Sequence, residues 1–71
     1  MEFDEYYIKI GKHIKELREK ANFTQEQLAE KAGISLDYLG KIEVNINKLG
    51  LKTVFKLAKA LNVHPKEILN F

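Results

Sequence analysis

Asp37, Ser35, His13, His64 and a run of lysines in the second half are the residues here that could do chemistry. Asp37 as a general acid has no second carboxylate or activated nucleophile beside it. Ser35 as a nucleophile has no base and no oxyanion motif. His13 and His64 lack carboxylate or thiol ligands at metal spacing, so no zinc site is expected. His64 reads better as a helix-start residue. No glycine-rich phosphate loop is present. The lysines remain. Lys48 and Lys52 fall just before and inside the first turn of an expected helix. The helix dipole disfavours cations there unless an anion is the intended neighbour. These residues point to anion recognition rather than catalysis, and they require no cofactor and no metal.

The distribution of charge agrees with that. The net charge is only +2. Residues 1–43 hold seven Lys/Arg against nine Asp/Glu, whereas residues 44–71 hold five Lys against one Glu. Lys48, Lys52, Lys56, Lys59 and Lys66 make the second half the basic side. Lys56, Lys59 and Lys66 are read equally well as an ordinary solvated face. Seventy-one residues suit one domain with a small core. There is no cysteine, which excludes disulfides and fits a cytoplasmic setting. No apolar run reaches the length of a membrane span, and the start Met1-Glu2-Phe3-Asp4-Glu5 is acidic, unlike a signal peptide.

The elements that must position these residues are all helices. Helix 1 is expected from about Asp4 to Ala21, with Phe3, Tyr6, Tyr7, Ile10, Ile14 and Leu17 as its apolar stripe. Tyr6 and Tyr7 are read as core and core-edge residues. Asn22 can end the helix in a left-handed conformation, and Phe23 follows. Thr24 and Gln27 make a capping-box pair, which starts helix 2 at Gln25. Gly33 tolerates the positive φ that ends it after Ala32. Ser35 can cap helix 3, Leu36 to Glu43. Leu28, Ala29 and Ala32, then Leu39 and Ile42, recur at helical spacing. Val44–Gly50 is expected as a loop. Helix 4 covers Leu51 to Leu61, with Leu51, Val54, Leu57, Ala58 and Leu61 inward, and Asn62 stops it. Pro65 suits the first position of a short helix 5.

Two short helices joined by a tight turn over residues 24–43 resemble a helix-turn-helix. The run I-G-K-H-I-K-E-L-R-E-K-A-N-F-T-Q-E-Q-L-A-E-K-A-G-I-S-L-D-Y-L-G-K-I-E, continued by L-K-T-V-F-K-L-A-K-A-L-N-V and P-K-E-I-L, is similar to the Cro/CI-type family, also called the xenobiotic-response-element (XRE) family. The likeness spans about residues 10–69. It implies an all-α, compact five-helix bundle of the lambda-repressor-like DNA-binding type, here a single domain over residues 1–71. Tyr38 and the loop N-K-L-G resemble, more weakly, the restriction–modification controller proteins.

Carried onto this chain, the resemblance implies that Leu36, Asp37 and Lys41 face the bases. It places Ser35, Tyr38 and Asn47 on the DNA backbone. Gln25 would contact a phosphate or brace helix 3, and Arg18 and Glu43 would form an internal salt bridge. Lys48 and Lys52 join the backbone set on the dipole argument above. Tyr38 has a second reading, packing over the loop at Ile46. Two departures stand out. Leu36 and Asp37 occupy positions where the family often carries Arg, Gln, Ser or Thr. Asn45 and Leu49 replace the family's usual loop glycine and proline.

The expected function is a sequence-specific regulator on double-stranded DNA, a small repressor that binds an inverted repeat as a homodimer. Whether it represses or activates stays open. Val54, Phe55, Ile68, Leu69 and Phe71 are the expected dimer surface, although Ile68-Leu69-Asn70-Phe71 could instead close the monomer core. The rival reading is a protein-interaction module or an antitoxin whose main partner is a toxin.

Overall fold

A computed structural model describes residues 3–44 and 49–70. Its five helices are α1 (Asp4–Lys20), α2 (Gln25–Ala32), α3 (Leu36–Glu43), α4 (Leu51–Leu61) and α5 (Pro65–Ile68). The boundaries follow from local chemistry. The Thr24 side chain accepts from the Gln27 amide at 3.1 Å while the Gln27 side chain accepts from the Thr24 amide at 2.9 Å. This reciprocal box satisfies two donors that the first turn of α2 would leave orphaned. Ser35 Oγ accepts from the Tyr38 amide at 3.0 Å and starts α3. His64 Nδ1 accepts from the Lys66 amide at 3.1 Å, and Pro65 opens α5.

Three helices stop by one device. Asn22, Gly33 and Asn62 have φ of 62°, 72° and 58°. In each case the next residue donates its amide back into the helix: Phe23 to Arg18 O, Ile34 to Ala29 O and Val63 to Ala58 O, each at 3.0 Å. This is the Schellman closure, in which a left-handed residue turns the chain and an apolar residue follows. Phe23, Ile34 and Val63 all pack against the core. The turn that ends each helix therefore also fastens it to the others.

The core is formed by Ile10 and Ile14 of α1, Leu28, Ala29 and Ala32 of α2, Leu39 and Ile42 of α3, Val54, Leu57, Ala58, Ala60 and Leu61 of α4, Leu49 and Ile68. Fully burying each Leu, Ile or Val contributes roughly 1.5–3 kcal/mol. The helix 2–helix 4, helix 1–helix 3 and helix 2–helix 3 contacts dominate. The small Ala29 and Ala32 face those crossings, where short side chains permit close approach. Ile68 is brought in by α5 and held by His13 of α1, whose Nδ1–H donates to Ile68 O at 2.8 Å. That bond satisfies a carbonyl at the end of a short helix.

The structure corrects several expectations. Helix 1 ends at Lys20 rather than Ala21, which is its capping residue. Leu51 is not inward but 62% exposed, and Phe3 and Tyr6 are largely exposed rather than core. Helical periodicity alone does not say how far a residue at the margin of an apolar stripe is covered, and these three border an open groove. Val54 and Ile68 are corrected in the other direction. Both are buried within the single chain, so they belong to its core and add little area for a second copy. Phe55 is exposed and Leu69 half-buried. Phe71, Asn47 and Lys48, and the expected contact of Tyr38 with Ile46, lie outside the described residues.

Candidate nucleic-acid interface

Helix 3 divides into two faces. Leu39, Ile42 and Glu43 are buried, while Asp37 and Lys41 lie on the opposite side and are accessible to solvent, and Leu36, at the first position of the helix, is 46% exposed. Ile34, after the Gly33 turn, anchors the start of the helix in the core. Leu39 and Ile42 anchor its middle and end. The three expected readers thus stand together on a helix whose orientation is set from behind.

The strongest part of that support is polar. Arg18 of α1 donates to Glu43 through Nε at 2.8 Å and through Nη2 at 3.1 Å. Its third nitrogen, Nη1, donates to Phe23 O at 2.8 Å. Gln25, the first residue of α2, donates through Nε2 to Glu43 Oε1 at 2.9 Å. The carboxylate is thus held by two helices at the end of a third. The Arg18 and Glu43 side chains are 11% and 1% exposed. A two-pronged guanidinium–carboxylate pair is both strong and directional. The hydrogen bond to Glu43 raises the Arg18 pKa above its ordinary value. Burial opposes this, and the charges of Glu43 and Glu19 add to it. The guanidinium therefore keeps its charge wherever the protein is folded. The Gln25 side chain thus makes a bracing contact to the end of α3.

The remaining backbone candidates are dispersed around α3. Ser35 is exposed at the helix start, and its hydroxyl proton is not used by the cap. Tyr38 is half-buried and packs against the core, with its hydroxyl 3.5 Å from Thr53 Oγ1 of α4. Lys52 is exposed in the first turn of α4. Thr53 and the bracing role of His13 were not anticipated, because both depend on which helices meet. A further feature was readable from spacing but missed. Asp37 and Lys41 stand four residues apart on α3, and their side chains form an ion pair at 3.0 Å. Among the described residues, no cluster of His, Cys, Asp or Glu could hold a metal ion, and no helix is long and apolar enough to cross a membrane.

The HTH_3 helix-turn-helix family model matches residues 14–68. The chain belongs to this family. It is 34% identical over 63 residues to control protein C.BamHI of Bacillus amyloliquefaciens, covering 87% of this chain and 78% of that one. It is 39% identical over 59 residues to the immunity repressor protein of Bacillus phage phi105, covering 83% of this chain and 41% of the repressor. Among solved structures, the restriction–modification controller protein C.AhdI from Aeromonas hydrophila superposes with a TM-score of 0.85 at 34% identity. That match covers 87% of this chain and 94% of the controller. The expected resemblance to XRE-type regulators, and the weaker one to controller proteins, both hold. This helix-turn-helix chain is a member of a family of DNA-binding transcriptional regulators.

Proposed function

We propose that this chain is a sequence-specific transcriptional regulator that binds double-stranded DNA as one domain and acts as a repressor from an inverted-repeat operator. The observation that carries the reading is the outward face of α3. Asp37 and Lys41 on that face, with Leu36 at the start of the helix, are open to solvent, and the helix is clamped from behind by Arg18, Gln25 and Glu43. Helix 3 lies in the major groove. Ser35, Tyr38, Asn47, Lys48 and Lys52 follow the sugar-phosphate backbone and set register. Gln25 acts through Glu43 instead of on a phosphate. Two copies related by a two-fold axis place their recognition helices about 34 Å apart, one turn of DNA. The controller and repressor names of the relatives support regulation, and the immunity repressor supports repression.

A surface for the second copy is available beside α4. Leu51 and Phe55, one turn apart, are 62% and 52% exposed. Next to them an open, mainly apolar groove of about 410 Å³ is lined by Phe3, Tyr6, Tyr7, Ile10, Leu49, Gly50, Leu51, Val54 and Leu69. Contiguous apolar surface of this kind marks interaction sites on small proteins. This face keeps Phe55 and Leu69 of the expected dimer surface and leaves out the buried Ile68.

Selection of binding sites from a random duplex library tests the proposal. An inverted repeat with half-sites one turn apart supports it. Lys52→Ala is then expected to weaken all sequences alike and to lower the salt slope by about 1. Leu36, nearly half exposed where a polar reader is usual, supports the second reading, a protein-interaction or antitoxin-type module. Binding without sequence preference that vanishes as salt rises would favour that module over an operator-reading regulator.

A further inference from the structure

Asp37 and Lys41 occupy successive turns of the outward face of α3, with Lys41 Nζ 3.0 Å from Asp37 Oδ2. The pair is open to solvent, at 44% exposure for the lysine and 79% for the aspartate. An exposed pair of this kind adds little to stability. It does fix a donor and an acceptor side by side on the surface proposed to meet DNA.

We infer that Asp37 and Lys41 act as one unit that reads a single G·C base pair. The inference rests on the proposed placement of α3 in the major groove. A G·C pair presents two guanine acceptors there, N7 and O6, beside the cytosine N4 amino donor. O6 and N4 are joined by the base pair's own hydrogen bond, so they stand about 2.9 Å apart. Lys41 Nζ and the Asp37 carboxylate are in contact through Oδ2 at 3.0 Å, so an ammonium and a carboxylate stand side by side as O6 and N4 do. The lysine ammonium has three protons. One serves Asp37 Oδ2, and two remain for O6 and N7. Asp37 keeps its other oxygen to accept from the cytosine amino group. An A·T pair also offers a donor next to an acceptor, N6 beside O4. Beyond O4, however, it carries the thymine methyl where guanine carries N7. One lysine proton then has no acceptor.

The pairing also explains how an aspartate can stand on this face at all. A lone carboxylate is repelled by phosphates. With an ammonium 3.0 Å away it approaches as half of a neutral pair. Asp37 and Lys41 therefore determine specificity at the same base pair, and removing either disables both.

The experiment begins from the site selected by the full chain. Each position of that site is replaced in turn, and binding is measured for the wild type, Asp37→Ala, Lys41→Ala and the double variant. The wild type should lose about five- to one-hundred-fold when one G·C pair per half-site becomes A·T. Each single variant should lose that discrimination at the same pair, and the double variant should lose no more than either. Substituting 7-deazaguanine there should weaken the wild type and leave Lys41→Ala unmoved. Relaxed discrimination at two different base pairs would overturn the inference. So would an Asp37→Ala protein that keeps its preference and simply binds every duplex more tightly. Those outcomes leave operator reading intact. No enriched sequence for the wild type would instead overturn both the pair and the operator reading on which it rests.

Discussion

Glu43 is a single buried carboxylate that receives three hydrogen bonds from two other helices. Its removal should be costly because it leaves the Arg18 guanidinium buried without its partner. Glu43→Ala is expected to lower stability by about 3–5 kcal/mol, read from the urea midpoint. Gln25→Ala leaves the two-pronged Arg18 contact intact and should cost only about 1 kcal/mol. Equal losses would show that the glutamine carries as much of the junction as the arginine. The Arg18–Glu43 pairing was foreseen from family likeness alone, since 25 residues separate the partners and nothing local joins them. The Gln25 alternatives could not be separated in the sequence. Both need an amide at the start of helix 2, and the contact to Glu43 appears only once the helices are assembled.

The helices were the most legible level, because their ends are decided by neighbours in sequence. Thr24 with Gln27, Ser35, Gly33, Asn22 and Asn62 all act within a few residues, and the expected bounds of α2, α3 and α4 coincide with the observed ones. What periodicity could not supply was the identity of the covering element, hence the misplacing of Leu51, Phe3 and Tyr6. Two glycines separate conformational from spatial demands. Gly33 has open space around a would-be Cβ but a φ of +72°. Gly33→Ala should therefore cost about 1–2 kcal/mol through backbone strain alone. Gly40 sits within α3, where a Cβ would meet only Gln25 Oε1 at 3.8 Å. Gly40→Ala should raise stability, by up to about 1 kcal/mol, through helix propensity. Thermal unfolding of the two variants should move in opposite directions. A shared direction would contradict this assignment.

At the scale of the molecule, one flank remains unfinished. Leu51, Phe55, Phe3 and Tyr6 leave aromatic and aliphatic surface in water beside the groove. The Phe3 and Tyr6 rings are tilted against each other with centroids 6.3 Å apart. If a second copy covers this flank, Phe55→Glu should give a monomer in sedimentation experiments while the melting of each chain stays nearly unchanged. A fall in melting temperature with no change in mass would assign Phe55 to folding instead. Val54, read from the sequence both as inward and as part of this surface, is buried. The sequence left Ile68 open between core and partner surface because apolar residues near a chain end look the same whether they close a core or await a partner. The two are distinguished by α5, four residues long, which carries Ile68 inward.

The Glu43 junction lies at one end of α3 and on its inner side, whereas Asp37 and Lys41 lie on the outer side and Leu36 at the far end. Posture and vocabulary are therefore separable in this molecule. On the proposed reading, these three residues can be rewritten without disturbing the fastening behind them, and a change at the fastening would misdirect any set of readers. If α3 reads an operator as proposed, the scaffold is a holder with an exchangeable tip, and related chains could address different operators while sharing every contact that fixes the angle of the helix.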